Sequence, residues 1–312
     1  MKISVIIPCY RSEKTLDNVV QEIIQVLATI KDADDYEIIM VNDCSPDNVW
    51  QVITRLCSEN SHCKGLELAK NFGQHAAILA GYKHVTGDYI VKLDDDGQSP
   101  IESIPSLIAA LRNNADVVYG AYPAKKHNLF RNLGSKVDDW MAVWLVGKPR
   151  NFQVSSFSAA RRFVVDEMIR YDNPFPYLLG LSTRTTRHLA NVSVNHRARE
   201  QGKSGYTFSK LIKLWLNGFT AFSVKPLRLA TFLGFLFAIL GFMSGTLIVV
   251  RKLLNPEIAA GYSSIMATIV LIGGLLMMFM GMLGEYVGRI YICLNKSPQY
   301  VIRNTVGFNK NN

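Results

Sequence analysis

Hydrophobic residues follow two alternating periods from residue 1 to about residue 120. Short runs rich in β-branched residues have the pattern of buried strands, and the longer segments between them repeat apolar residues at the spacing of one helix face. The predicted strands are Ile3–Ile7, Glu37–Val41, Tyr89–Leu93 and Asp116–Tyr119, with Gly65–Leu68 as a weaker candidate. Strands that alternate with helices need crossover connections, so the sequence predicts an α/β fold with a mostly parallel sheet covered on both faces.

Two of the intervening helices can be placed from their residues. Apolar positions between Leu16 and Leu27 lie on one face of the first helix. Ser45 followed by Pro46 has the order of an N-cap and a first helical residue. We therefore expect a second helix to begin at this pair and to carry Val49 and Leu56 on its buried face.

Two long apolar segments, 229–250 and 258–284, lie near the C-terminal end and contain no charged residue. Each exceeds the roughly 20 residues that cross a bilayer core, which predicts two transmembrane helices within 227–288. The preceding segment, 207–226, mixes lysines with large apolar residues, as an interfacial amphipathic helix does. The expected organisation is a catalytic domain at 1–206, this interfacial helix, the two membrane spans and a basic tail at 289–312.

Charge and cysteine content indicate the kind of partner and the compartment of the protein. The net charge of +9 and pI near 9.3 favour an anionic partner, which is a nucleic acid, a membrane surface or a phosphorylated substrate. Five scattered cysteines without a CxxC pair favour reduced thiols in a cytoplasm. The N-terminus lacks the apolar core of a secretory signal, and basic residues flank the spans on the side of both chain ends, so we expect the first domain and the tail to be cytoplasmic.

The segment VKLDDDGQSP, residues 91–100, carries the candidate chemistry. A strand alternates its side chains, so Asp94, Asp96 and Gln98 are expected on one face and Asp95 on the other. Two adjacent carboxylates repel each other unless a cation lies between them, and a divalent metal with oxygen ligands is one solution. The alternative is a solvated acidic turn.

Other polar residues follow the remaining predicted strands. Pro8 and Tyr10 follow the first strand, and Asp43 follows the second. Ligands bind outside the carboxyl ends of parallel strands, so we expect these residues to converge with Asp94 and Asp96 on one crevice. Neither GxGxxG nor GxxxxGK[ST] occurs in the chain, which leaves a metal to neutralise any bound phosphate.

The stretches VIIPCYRSEKTL, IIMVNDCSPDN, NFGQHAAILAGYKHVTGDYIVKLDDDGQSP and REQGKSGYTFSKL resemble successive motifs of the inverting family-2 glycosyltransferases. The resemblance is strongest to the polyprenyl-phosphate branch, typified by dolichyl-phosphate mannose synthase and the bactoprenol glucosyltransferases. It covers nearly the whole chain, including the two apolar segments, and implies the GT-A nucleotide-sugar fold.

The resemblance implies a role for each matching residue. Pro8, Tyr10 and Glu13 are expected to line the nucleotide pocket, and Asp43 to contact the base or ribose. Asp94, Asp96 and Gln98 are expected to bind Mg²⁺ or Mn²⁺ with the donor diphosphate. The expected phosphate-binding residues are Arg199, Lys203, Ser204 and the matching arginine Arg162, and Arg131 lies in a basic run that is placed to meet an acceptor phosphate. Ser156–Ser158 departs from the acidic residue and arginine that many members of this branch have, which leaves the donor sugar undefined.

The main hypothesis is metal-dependent, inverting transfer of a sugar from a nucleoside-diphosphate sugar to undecaprenyl phosphate or a related polyprenyl phosphate. We expect this transfer at the cytoplasmic face of a bacterial-type plasma membrane, for envelope polysaccharide synthesis, with membrane lipids but no nucleic acid as partners. One alternative acceptor is a lipid-linked saccharide or glycerolipid, which would need a general base such as Asp138 or Asp139. Another alternative is a non-catalytic membrane scaffold. Small-xxx-small spacings at Gly241–Gly245 and Gly284–Gly288 are compatible with helix packing or a homo-oligomer.

Overall fold

The computed structural model describes residues 1–122, 149, 152–174, 176–195, 225–254 and 261–308. The chain divides into two compact units. Met1–Thr207 and Ser297–Asn312 form the first unit, and Phe208–Lys296 form the second. The first unit therefore contains segments from both ends of the chain.

The first unit is built on one eight-stranded sheet with the strand order β7-β5-β6-β4-β1-β2-β3-β8. The strands are β1 (Lys2–Cys9), β2 (Asp35–Asn42), β3 (Cys63–Leu68), β4 (Tyr89–Lys92), β5 (Val117–Ala121), β6 (Ser158–Arg161), β7 (Leu189–Ser193) and β8 (Ile302–Val306). Strands β4, β1, β2 and β3 are parallel neighbours. Strand β6 is antiparallel to β4 and β5, and β8 is antiparallel to β3. The predicted mostly parallel sheet is thus confirmed.

Helices cover the sheet and bury its apolar side chains. They are α1 (Leu16–Leu27), α2 (Val49–Glu59), α3 (Gln74–Tyr82), α4 (Ile104–Arg112), α5 (Arg162–Ile169) and α6 (Leu178–Thr185). The predicted apolar face of α1 is confirmed, since Leu16, Val20 and Ile23 are fully buried. Helix α3 is apolar on all sides, and every residue from Ala76 to Tyr82 is buried. A helix buried all round is fixed by its neighbours on every side.

The predicted start of the second helix is wrong. Helix α2 begins at Val49 with Asn48 as its N-cap residue, and Ser45 lies in the preceding loop. There the Ser45 hydroxyl donates to Asp47 Oδ1 and accepts a hydrogen bond from the Arg11 amide at 2.7 Å. Ser45 therefore joins the β2–α2 loop to the β1–α1 loop, and this long-range contact replaces the local cap.

The second unit contains two long helices, α7 (Lys225–Leu254) and α8 (Tyr262–Leu294). Windows within them, Ala230–Leu247 and Leu271–Leu294, are long and apolar enough to cross a membrane. Many of their large apolar side chains are exposed, including Phe242 and Met277. Among the described residues, an added Cβ at Gly241, Gly245, Gly284 or Gly288 would meet no atom outside its own stretch of helix within 4 Å.

Candidate active site

The carboxyl ends of β1, β2 and β4 lie at one edge of the sheet. Cys9 is paired in register with Asn42, and Ile6 with Lys92, so the loops that begin at Tyr10, Asp43 and Leu93 leave the sheet side by side. The Tyr10 amide donates to Asp95 Oδ2 at 2.8 Å, and the Asp43 amide donates to the Cys9 carbonyl at 3.1 Å. The predicted convergence of these loops is confirmed.

Asp94 is the first carboxylate of this edge and has partners from two other elements. Gln74, the first residue of α3, donates its side-chain amide to Asp94 Oδ1 at 2.7 Å. Burial raises the pKa of Asp94, whereas a hydrogen bond with Ser156 and the charge of Lys92 act in the opposite direction. The charge of Asp96 raises the pKa of Asp94 further, so the two carboxylates are close enough to repel.

Asp96 and Gln98 form a tight turn directly after Asp94. The Gln98 amide donates to Asp96 Oδ1 at 3.0 Å, and the Gln98 side-chain amide nitrogen donates to Asp96 Oδ2. The side chains of Asp96 and Gln98 therefore meet on one side of the strand end. Gln98 therefore lies beside Asp96 as expected, but a turn with Gly97 at a φ of +73° brings them together, since β4 ends at Lys92.

Asp95 points away from that pair and towards the β1–α1 loop. Its carboxylate accepts the hydrogen bond from Tyr10, and its backbone carbonyl accepts one from the Thr15 hydroxyl at 2.7 Å. Burial raises the pKa of Asp95 to about 6. Asp95 therefore holds the β1–α1 loop against the carboxylate turn.

Asp43 fixes the loop that leads into α3. Its two carboxylate oxygens accept hydrogen bonds from the amides of Phe72 at 2.7 Å and Gly73 at 2.8 Å, and Gly73 is the N-cap residue of α3. The side chain is buried, and burial raises its pKa although both amides stabilise the charged form. Asp43 thereby fixes the end of α3 that presents Gln74 to Asp94.

The three predicted residues of the β1–α1 region have different environments. Pro8 is buried within β1, whereas 44% of the Tyr10 side chain is exposed at the sheet edge. Glu13 accepts a hydrogen bond from the Asn48 amide at 3.2 Å, while its own amide donates to Asp47 Oδ2 at 3.0 Å. Glu13 therefore joins its loop to the start of α2, and only Tyr10 of the three offers a broad exposed face.

Two residues near the partners of Asp94, Lys92 and His75, have shifted pKa values and were assigned no role from the sequence. Lys92 precedes Asp94 by two residues on β4, is only 9% exposed, and has its pKa lowered to about 8 by burial despite the attraction of Asp94. His75 follows Gln74, and burial and the charge of Lys92 lower its pKa to about 4. The two-residue spacing of Lys92 and Asp94 in the sequence could have indicated that their side chains lie on the same side of the chain.

Arg162 does not lie at this edge. It begins α5 and pairs with Asp166 at 2.7 Å, next to the end of β6 where Arg161 is in register with Tyr89, the first residue of β4. Because β6 is antiparallel to β4, Ser158 lies instead opposite Lys92 near the carboxylates. The structure therefore does not bring Arg162 to the edge that carries the carboxylates, and its predicted phosphate contact stays a prediction. Arg131, Arg199, Lys203, Ser204, Asp138 and Asp139 lie outside the described residues.

The fold and this edge define a GT-A glycosyltransferase, in which a mostly parallel sheet presents a carboxylate pair after a central strand. The chain belongs to glycosyl transferase family 2, whose sequence profile matches residues 4–167. A second profile, described as the GtrB C-terminal hairpin, matches residues 225–290 and so includes much of α7 and α8.

Similar proteins cover the whole length of the chain. A protein from Klebsiella pneumoniae, named undecaprenyl-phosphate 4-deoxy-4-formamido-L-arabinose transferase, is 34% identical over 308 residues, which are 98% of this chain and 94% of that protein. A protein of the same name from Proteus mirabilis is 32% identical over 314 residues, which are 100% of this chain and 96% of that protein.

Solved structures share the fold at low sequence identity. A mycobacterial protein superimposes with a TM-score of 0.52 and 15% identity, covering 71% of this chain and 74% of that one. Glucosyl-3-phosphoglycerate synthase from Mycobacterium tuberculosis, crystallised with Mn²⁺, uridine diphosphate and phosphoglyceric acid, gives a TM-score of 0.50 and 16% identity over 69% of this chain and 76% of that one. These likenesses establish the fold of the first unit.

Proposed function

We propose that this enzyme transfers a sugar from a nucleoside-diphosphate sugar to undecaprenyl phosphate or a related polyprenyl phosphate. The observation that carries the proposal is the presence, in one chain, of a family-2 glycosyltransferase site and two helices with the length and apolarity of membrane spans. A soluble acceptor would not require such helices, whereas a lipid phosphate is reached only at a membrane surface. The names of the similar proteins support the same acceptor.

The residues after β4 suit Mg²⁺ or Mn²⁺. Asp94 and Asp96 supply carboxylate oxygens and Gln98 an amide oxygen, and hard divalent cations prefer such ligands. The mutual repulsion of Asp94 and Asp96 is the charge pattern that a cation relieves. Among the described residues no three His, Cys, Asp or Glu side chains form a ligand cluster, so the donor diphosphate and water would complete the coordination. A bound cation would stabilise the negative charge of the departing nucleoside diphosphate.

The nucleotide is assigned to the loops beside this pair. Tyr10 offers its exposed side chain to a base or ribose, and we assign Pro8 and Glu13 to the same pocket from the family resemblance. Asp43 holds the β3–α3 loop through Phe72 and Gly73, and any contact with the nucleotide would add to that role.

The reaction needs few groups from the protein. An oxygen of the acceptor phosphate attacks the anomeric carbon while the bond from that carbon to the β-phosphate oxygen breaks, and the bonding electrons leave with the nucleoside diphosphate. The acceptor is already anionic near neutral pH, so no general base has to remove a proton. A single displacement inverts the anomeric configuration. Following the family resemblance, we assign phosphate binding to Arg199, Lys203 and Ser204, which offer a guanidinium, an ammonium and a hydroxyl donor. Arg131 is assigned to the acceptor phosphate from its place in a basic run.

The strand order supports placing the segments before and after the apolar helices on the same side of the membrane. Strand β7 precedes the apolar helices in sequence, β8 follows them, and both belong to the same sheet. Two membrane crossings return the chain to its starting side, as this sheet requires. We propose a catalytic domain at 1–206 completed by 297–308, an interfacial helix at 207–226 and two membrane spans within 227–288, with the catalytic domain on the cytoplasmic side of a bacterial plasma membrane.

A transfer assay tests the proposal directly. Detergent-purified protein would be incubated with undecaprenyl phosphate, Mn²⁺ and labelled UDP-, GDP- and dTDP-sugars, together with nucleotide-activated 4-deoxy-4-formamido-L-arabinose. We expect label in the organic phase, released by mild acid as a sugar phosphate ester. Label on a lipid-linked saccharide but none on undecaprenyl phosphate would refute the proposed acceptor, and the Asp94→Asn variant is the inactive control.

A further inference from the structure

The chain that follows the apolar helices returns to the edge of the sheet. Strand β8 pairs with β3 in antiparallel register, with Gly65 opposite Val306 and Glu67 opposite Asn304. The Ala69 amide continues this pairing beyond the strand by donating to the Val301 carbonyl at 2.8 Å. We name residues Gln299–Phe308 the C-terminal clasp.

Two glycines show that the clasp fits closely against β3. A Cβ on Gly65 would lie 2.7 Å from Val306 Cγ1, and a Cβ on Gly307 would lie 2.5 Å from the Cys63 carbonyl oxygen. Gly307 also has a φ of +78°, a conformation that side-chain-bearing residues rarely adopt. Gly307 therefore lets the clasp backbone approach that of β3, whereas Gly65 leaves room for the side chains of Val306 and of Ile53 on α2.

The clasp contacts both sides of the segment that contains α3. The Val301 carbonyl accepts the hydrogen bond from Ala69, where the β3–α3 loop begins. Beyond the end of α3, the Phe308 ring packs edge-on against His84 with centroids 5.3 Å apart, and Lys83 lies over the Tyr300 ring at 5.6 Å.

Gln299 anchors the beginning of the clasp. Its side-chain amide nitrogen donates to the carbonyls of Tyr171 and Asn173, each at 2.7 Å, and the residue is only 8% exposed. These carbonyls belong to the loop between α5 and α6. The clasp therefore has fixed contacts at its start, along its strand and at its end.

The other end of the same α3 segment supports the candidate site. The Gly73 amide donates a hydrogen bond to Asp43, and the Gln74 side-chain amide donates one to Asp94. Because α3 is buried from Ala76 to Tyr82, we expect a displacement at Lys83 or His84 to shift its first turn as well.

We propose that the C-terminal clasp positions α3, and through it Asp43 and Asp94, for binding of the donor nucleotide and its metal. Residues beyond the apolar helices thus serve the site at the opposite end of α3. The donor-binding part of this inference rests on the proposed function, whereas the positioning of α3 does not.

Hydrogen exchange of the full chain in detergent tests the positioning without any ligand. In Gly307→Val, peptides covering 69–82 should exchange about tenfold faster, which corresponds to about 1.4 kcal/mol of lost local stability. Peptides from β1 and β4 should be unchanged. Arg303→Ala is the matched control, since this side chain is exposed on the same strand. If Gly307→Val does not fold, Phe308→Ala removes the ring that contacts His84 and Lys64 and tests the same positioning of α3. Unchanged exchange at 69–82 in the folded variant would overturn the proposal.

Calorimetry with UDP, GDP and dTDP, each with Mn²⁺, tests the consequence for the donor. We expect the Kd of the nucleotide that binds the wild-type protein to rise about tenfold in the clasp variant and to stay unchanged in Arg303→Ala. Faster exchange with an unchanged Kd would overturn the link to the donor site. If the wild-type protein binds none of the three nucleotides, the proposed function is refuted, and the exchange experiment still decides whether the clasp positions α3.

Discussion

The buried ammonium of Lys92 should destabilise the protein at neutral pH. Burial lowers the pKa of Lys92 from its ordinary value of 10.5 to about 8, so the folded state binds this proton less tightly than the unfolded state does. At 1.36 kcal/mol per pH unit of pKa shift, this lowers the free energy of unfolding by roughly 3 kcal/mol below pH 8. The destabilisation should disappear as the pH rises from 8 towards 10.5, where the unfolded state also loses the proton.

The Lys92→Met variant removes this charge while keeping an unbranched side chain of similar length. In metal-free buffer at pH 7 we expect it to be more stable than the wild type by up to about 3 kcal/mol. For a folding unit of this size each kcal/mol corresponds to about 2–4 °C in Tm, so the expected increase is about 6–12 °C. The increase should shrink to roughly a third at pH 9.5, because Lys92 is then mostly neutral in the folded wild type.

Lys64→Met is a matched control, for which we expect a loss of stability instead of a gain. Lys64 lies 2.7 Å from Glu37, whose side chain is 2% exposed. Burial alone would raise the pKa of Glu37, but hydrogen bonds from Lys64, Ser4 and Thr86 outweigh it and hold the pKa below its ordinary value. Removal of Lys64 leaves this carboxylate without its cation and should destabilise by roughly 3 kcal/mol. Thermal unfolding of both variants across the pH range gives the comparison, and a Lys92→Met variant that is destabilised equally at pH 7 and 9.5 would refute the reasoning.

Three further substitutions test the candidate site. Asp96→Asn should abolish Mn²⁺-dependent nucleotide binding in calorimetry with little change in Tm, and tight Mn²⁺ binding by the variant would contradict the metal assignment. Asp95→Ala frees the Tyr10 amide and should raise the nucleotide Kd roughly tenfold without changing the Mn²⁺ requirement; wild-type affinity would show that this loop needs no support. Asp43→Asn cannot accept both backbone hydrogen bonds and should cost about 1–3 kcal/mol in chemical denaturation, whereas unchanged stability would mean that the amides find other acceptors.

Local patterns were sufficient for the elements that depend on local burial. Strands β1 to β5 and helix α1 carry continuous or periodic apolar residues, and these periods are visible in the sequence. The apolar segments of α7 and α8 are equally clear, because length and lack of charge define them. By contrast, β6 and β8 are short strands whose pairing joins residues far apart in the chain, and no local period marks their partners.

The start of α2 shows how a tertiary contact overrides a local signal. Ser45 and Pro46 have the residue types of a cap, but Ser45 receives the Arg11 amide from another loop, and Glu13 bonds the Asn48 amide at the true start of the helix. Arg162 shows the same limit for the site. Its motif placed it with the phosphate ligands, whereas the antiparallel direction of β6 places it at the other end of β4.

By itself, the sequence determined the class of fold, the carboxylate pair of Asp94 and Asp96, and the two apolar segments, because each depends on residue type and spacing along the chain. Only the tertiary structure decided what surrounds that pair: Gln74, Ser156 and the buried Lys92 around Asp94, and Asp43 at the start of α3. It also decided that residues after the apolar helices complete the sheet. These contacts join segments separated by many residues, and their free energy exists only after the sheet has brought the segments together.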